Sequence, residues 1–453
     1  LVIRHSSLVI RRFVRLLLMV LLVLVTACAG RRGAVLVAWH TLDGGKERAL
    51  LKLVDRWNAA NPDGTVIILE RRDLETLHTS VLNSRATNAL PALMLVRPMQ
   101  AAVYQQQGFL APLDTHINSP ELGWSQSDVD DLFPFVRAAG KTAQGETVGL
   151  AFGGKARALL YNQDSLAQAG IEALPTTWPA MNDACALATN RILNTFCFSV
   201  LVTHQTLEDW TAARGGQLVS SDGSLMQVTT DAPQAVMTSL LSYLQSGQAY
   251  PTPGAGDTLE QFAAGRTAFA FAWSDEITAY RSATKAAENF DWRVAAMPGN
   301  DGQPAQTTLQ TSLWVLLKSE NGNADIGNAD IGNADIGNAD IARREEASWK
   351  FVKWLLEEQQ TAEWAIATTE LPARRSALAR LAANPTIDPM FISAVQGLAP
   401  IAQPEPLISG WSCVQSALSA GMRTIFESKP ITETVQDMQL GAQSQLGFDC
   451  TLR

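Results

Sequence analysis

Twelve tryptophans, against five tyrosines, are the residues of this chain best suited to chemistry with a small molecule. An indole offers a broad apolar face, so it can cover the C–H face of a hydroxyl-rich ligand while polar neighbours take the hydroxyls. Trp57, Trp178, Trp349 and Trp354 sit in helical or turn patterns and read as packing. Trp39 follows the first apolar run, VLVAW, and Trp273 ends another, AFAFAW. Bond-breaking chemistry has less support. A glycoside hydrolase needs two carboxylates flanking the bond, one with a raised pKa. Acids are plentiful here, yet no pair stands in a recognisable catalytic motif. HExxH and GxSxG are absent, and His40 and His204 lack a metal partner at ligand spacing. No catalytic residue, metal or cofactor is expected.

Such side chains need a scaffold, and the apolar pattern supplies one. Residues 35–39, 65–69 (TVIIL) and 92–96 (ALMLV) read as strands. Between the first two, Ala49, Leu50, Leu53, Val54 and Trp57 recur at helical spacing. Asn61-Pro62-Asp63-Gly64 stops that helix by turn chemistry, and a second helix spans residues 74–90. This alternation predicts an α/β fold with a largely parallel sheet. Ligands of such sheets lie beyond the carboxyl ends of the strands, where Trp39, Asp73 and Arg97 stand. Residues 148–152 and 157–161 begin a second α/β region, residues 346–364 read as one long helix, and the C-terminal region looks helical. GNADI occurs four times in register over residues 322–341. One coil of repeats cannot bury a core by stacking, so this insert is expected in a surface loop. Its evenly spaced Asp325, Asp330, Asp335 and Asp340 lack a calcium-loop pattern.

The N-terminal end reads as an address. Arg4, Arg11, Arg12 and Arg15 precede an apolar run at residues 16–25, too short for a membrane-spanning helix of about 20 residues and suited to an export signal. Val25-Thr26-Ala27-Cys28 resembles a bacterial lipobox. The expectation is a signal peptide at 1–27, lipidation at Cys28, a linker at 28–33, and anchoring on the extracytoplasmic face of the cell membrane. A net charge of −9 argues against nucleic acid, whose binding rests on Lys and Arg. Four further cysteines permit three pairings; Cys185–Cys197 and Cys413–Cys450 are expected, being local in sequence.

Several stretches, in order along nearly the whole mature chain, resemble extracellular solute-binding proteins of the maltose and glycerol-3-phosphate type. VLVAWHTLDGG with RWNAANP resembles that family's opening strand, helix and turn. GFLAPLD, LLYNQDSLAQAGI with LPTTWPAM, FAAGRTAFAFAWSDEI, TSLWVLLKS, EASWKFVKWLL and TELPARRSA resemble its later elements. The resemblance implies a periplasmic-binding-protein-like fold of type II, with two α/β lobes, a hinge and a cleft. Lobe 1 would comprise 34–150 with 275–355, and lobe 2 would comprise 151–274 with 356–453. It further implies a monomer that captures one carbohydrate by hinge closure and passes it to ABC permease subunits driven by a cytoplasmic ATPase.

The same resemblance nominates cleft residues. Trp273-Ser274-Asp275 matches a Trp-Ser-Asn that carries a stacking aromatic, and Trp411 in ISGWSCV matches a second. Trp210, upstream of Gly215-Gly216, falls where the family supplies another. Lys155 would lie at the first crossover, and Glu370 at a turn where glycerol-3-phosphate binders have Tyr. Leu309-Gln310-Thr311 replaces the Gly-Gly of those binders, and their C-terminal Arg aligns near Trp411. A neutral oligosaccharide therefore fits better than glycerol-3-phosphate or a related polyol phosphate. A secreted glycoside hydrolase, or an interaction protein using the GNADI insert, are the readings from other classes.

Overall fold

The computed structural model describes residues 33–453 except 88, 288–289, 301–304, 319–337, 425–429 and 448–453. Its first sheet grows outward from β1 (Val35–His40), which pairs in parallel with β2 (Val66–Arg71) and β3 (Leu93–Val96). All four residues of β3 are buried, as a strand covered on both faces requires. The helix Gly44–Ala60 joins β1 to β2 and buries Ala49, Leu50, Leu53, Val54 and Trp57. Asn61 stops it: its carboxamide donates to the carbonyls of Trp57 and Thr65 and accepts from the Thr65 N–H. Gly64 then takes φ +68°, a conformation that disfavours any side chain. The second helix is shorter than its pattern suggested, spanning Leu77–Ala86.

The two stretches expected at 148–152 and 157–161 form one strand, β4 (Leu150–Asn162). Its first half runs antiparallel to β9 (Thr307–Leu316), which itself pairs with β3. Its second half runs antiparallel to β7 (Phe269–Trp273) and β8 (Trp292–Ala295). Nearby, β5 (Phe198–Val200) and β6 (Ala249–Pro251) form a small parallel pair. β10 (Leu371–Pro372) lies against β4 at Gly153 and Gly154, and β11 (Ala402–Pro404) against the start of β9. One strand thus serves two sheets, and its register shifts between Ala151 and Gly154. Two glycines allow this: a β-carbon at Gly154 would sit 2.8 Å from the Gln310 carbonyl oxygen, and one at Gly153 2.9 Å from Trp364 Nε1.

Alternation along these strands separates two cores. Ala158, Leu160, Ala270 and Ala272 face the larger core, while Leu159, Phe269 and Phe271 face the smaller. Residues 358–398 contribute Trp364, Leu381 and Phe391 to the larger core, and residues 411–442 contribute Trp411, Leu418 and Met438 to the smaller. The segment 356–453 thus contributes to both cores. The single helix expected at 346–364 is two, Asn338–Leu355 and Glu358–Thr368. The break occurs where the buried Arg374 guanidinium donates to the Leu356 carbonyl, which a continuing helix would claim.

Cys185 and Cys197 are disulfide-bonded, Cα to Cα 4.8 Å, tying the helix Trp178–Ala188 to the entry of β5. Cys413 is also disulfide-bonded; Cys450 lies outside the described residues. So do the signal segment, Cys28 and most of the GNADI insert, whose last residues, 338–341, open a helix. Among the described residues no helix is long and apolar enough to cross a membrane.

Candidate functional site

A cavity of about 600 Å³ lies where the two halves of the fold meet. One wall comes from Ala102, Gln105 and Gln106 of the helix Pro98–Gln106 and from the loop at Lys141–Gln144. The facing wall comes from the helix His204–Ala213, whose Gln205, Glu208, Thr211 and Ala212 fall on one face at spacings of three and four. β7 supplies Trp273, β9 supplies Thr308 and Gln310, and the chain after β11 supplies Glu405, Ile408 and Trp411.

Of the residues nominated from sequence, Trp273, Gln310 and Trp411 line this cavity. Both indoles are mostly enclosed, with Trp273 8 % and Trp411 3 % exposed. Lys155 Nζ and Arg157 Cζ each lie 4.9 Å from the centroid of the Trp273 ring, within cation–π range. Lys155 thus supports Trp273 without itself lining the space. Ser274 is fully buried, and its hydroxyl accepts from the Ala156 N–H at 3.2 Å, fastening β7 to the point where β4 changes sheets. Arg97 caps the helix Pro98–Gln106 and reaches Glu405 at 3.1 Å. The Gln310 amide donates to Gln205 Oε1 at 3.3 Å.

The other nominees stand elsewhere. Trp210 is 1 % exposed, enclosed by Trp178, Phe198, Tyr243 and Phe271, and serves the smaller core. Its helix turns Glu208 toward the cavity instead. Trp39 donates to Glu70 at 3.0 Å under the Arg72 guanidinium, beside a shallow depression of about 460 Å³ that Asp73 also lines. Glu370 pairs with Lys46 and accepts from Trp364 Nε1 at 2.8 Å. Burial alone would lower the Lys46 pKa, but Glu370 outweighs it and the ammonium is held charged.

Sequence reasoning missed the acids of the helix His204–Ala213. Asp209 is buried against Arg157 at 2.7 Å and accepts from Gln205 and Thr308. Burial raises its pKa and Arg157 opposes the rise. Glu208 takes a bond from Gln415 at 3.2 Å, and burial, then the charges of Glu405 and Asp209, push its pKa well up. His204 shares the Ser419 hydroxyl through both its Nδ1 and its backbone N–H; burial, then Arg97, lower it to about 4. The signal was available in the Gln205, Glu208, Thr211 spacing, but a strand-end rule looks past a helix face. Among the described residues no three His, Cys, Asp or Glu side chains are gathered as for a metal ion.

Two lobes sharing long strands, with a half-open cavity of mixed polar and apolar lining between them, define a binding protein of the type II periplasmic-binding-protein-like fold. The chain belongs to the bacterial extracellular solute-binding proteins, whose family model matches residues 52–389. It is accordingly a solute binder and not an enzyme, of a family that works outside the cytoplasm. Solved structures with this fold include the cyclic alpha-maltosyl-1,6-maltose binding protein from Arthrobacter globiformis, 18 % identical, TM-score 0.73, covering 92 % of this chain and 99 % of that one. The sugar-binding protein MalE from Xanthomonas citri is 17 % identical, TM-score 0.74, with 91 % and 97 % covered. The GacH receptor of Streptomyces glaucescens GLA.O, also solved with acarbose, is 17 % identical, TM-score 0.63, with 92 % and 99 % covered. No curated protein matches the chain.

Proposed function

We propose that this protein captures a neutral oligosaccharide in the cavity between its lobes and delivers it to ABC permease subunits. One observation carries the choice of ligand. Gln105, Gln106, Gln205, Gln306, Gln310 and Gln403 line the cavity with carboxamides, and Lys141 is the one cation among its lining residues. A carboxamide both donates and accepts, which suits hydroxyl groups. A phosphate would instead meet the carboxylates of Asp222 and of Glu405, the latter already paired with Arg97, with a single exposed lysine in the lining. This favours the oligosaccharide over glycerol-3-phosphate. Trp273 and Trp411 supply the apolar edges, and the MalE-like structures bind sugars in their own right. Closure of the lobes would strip water from these groups and strengthen each contact.

Isothermal titration against maltodextrins and glycerol-3-phosphate tests the reading. The expected result is saturable binding of a maltodextrin without sugar release, weakened about tenfold by Trp273→Ala. Binding of glycerol-3-phosphate alone would overturn it. We further propose that Cys28 carries the lipid anchor. Cys28→Ala should then move the protein from the detergent phase to the aqueous phase in detergent partitioning, and unchanged partitioning would end that assignment.

A further inference from the structure

The hairpin over residues 218–226 is held in an uncommon way. Its two arms, bridged at Val219 and Met226, bond through Ser220 N–H to Leu225 O and Gln227 N–H to Leu218 O, both 2.8 Å. Beyond its bridge between Val219 and Met226, the outer arm has no strand neighbour among the described residues, so its remaining N–H and C=O groups form an open edge. Two glutamines one turn apart on the helix Ile431–Gln443 cover that edge. Gln443 donates to the Ser224 carbonyl at 3.0 Å and accepts from the Met226 N–H at 2.7 Å. Gln439 donates to the Met226 carbonyl at 2.6 Å and accepts from the Val228 N–H at 2.8 Å. Each carboxamide does what one peptide group of a neighbouring strand would do.

The tip this clamp holds lines the cavity. Ser220, Ser221, Asp222 and Gly223 all line it, and a β-carbon at Gly223 would sit 3.4 Å from Ile408, another lining residue. The Asp222 carboxylate accepts from both the Ser220 and Ser224 hydroxyls, and these bonds hold it down to about 2, ionised and ready to accept. We propose that this hairpin sets how long a solute the cavity takes, with Gln439 and Gln443 as the residues that position it. A short solute resting on Trp273 and Gln310 is indifferent to the hairpin. A longer one that also fills the space beside Ser220–Gly223 gains hydrogen bonds there.

The inference rests on the oligosaccharide reading and deepens it. The test is titration of the wild type and the Gln439→Met/Gln443→Met double variant with maltodextrins from the disaccharide upward. Methionine keeps the side-chain length and removes all four bonds. The variant should lose about tenfold or more in affinity for the longest chain and less than about twofold for the shortest. Amide exchange at Met226 and Val228 should rise with it. Asp222→Ala, an exposed change outside either core, should give the same length-dependent loss if the double variant folds poorly. Equal losses at all lengths, or none, in a wild type that binds would overturn the inference alone. A wild type that binds no maltodextrin would overturn it together with the oligosaccharide reading.

Discussion

His204 is a residue whose charge the fold resists. Its ring is buried beside Arg97, and its pKa falls from the ordinary 6.5 to about 4. In the unfolded chain the imidazole takes its proton first as pH falls. The contribution of the neutral ring is therefore present above pH 6.5 and is lost as pH drops from there toward 4. Urea midpoints of wild type and His204→Asn across that window should show the wild type losing stability faster; parallel curves would refute a buried, neutral ring. At this scale the sequence was legible where a residue sits in a motif shared with the family. Trp273, Gln310 and Trp411 were reached through the family resemblance, whereas Trp39, Asp73 and Arg97, nominated as strand ends, do not line the cavity. Gln205 and Glu208 were not reached, because their spacing marks a helix face but only packing of the helix His204–Ala213 against β9 shows that this face borders the cavity. Trp210 shares that helix and points the other way, a difference of helical phase that a match to neighbouring glycines could not report.

The disulfide is an element-scale device. Cys185–Cys197 closes a short loop with sequence separation 12, and a loop of that order restricts the unfolded chain by about 3 kcal/mol. Replacing both cysteines with serine should lower stability by roughly that amount in denaturant titration. A loss well under about 1 kcal/mol would mean the reduced loop stays ordered by itself. Elements were largely readable: the strands at 35–39, 65–69 and 92–96 stand within a residue or two of β1, β2 and β3. β4 was read as two strands because Gly153-Gly154-Lys155 interrupts its apolar run, while the backbone ladder continues through the glycines. The helix break at Leu356 left no local mark, since its cause is Arg374, far along the chain.

At the scale of the whole molecule, the passage of β4 from one sheet to the other depends on close backbone approach at Gly154. Gly154→Ala would set a methyl group 2.8 Å from the Gln310 carbonyl oxygen, an overpacking that costs about 1–3 kcal/mol. Denaturation should show that loss, and small-angle scattering should show a smaller ligand-induced compaction. A variant as stable and as responsive as wild type would show that the strand bends elsewhere. The bonds that join the beginning of the fold to its later part have a consequence in time. Lys46 meets Glu370 and Arg56 meets Glu363, partners 324 and 307 residues apart. Contacts so distant along the chain make folding slow, and during synthesis the leading segment emerges long before its partners exist. A polypeptide that cannot finish early stays threadable, which is the condition for passing through a narrow translocation channel before it sets.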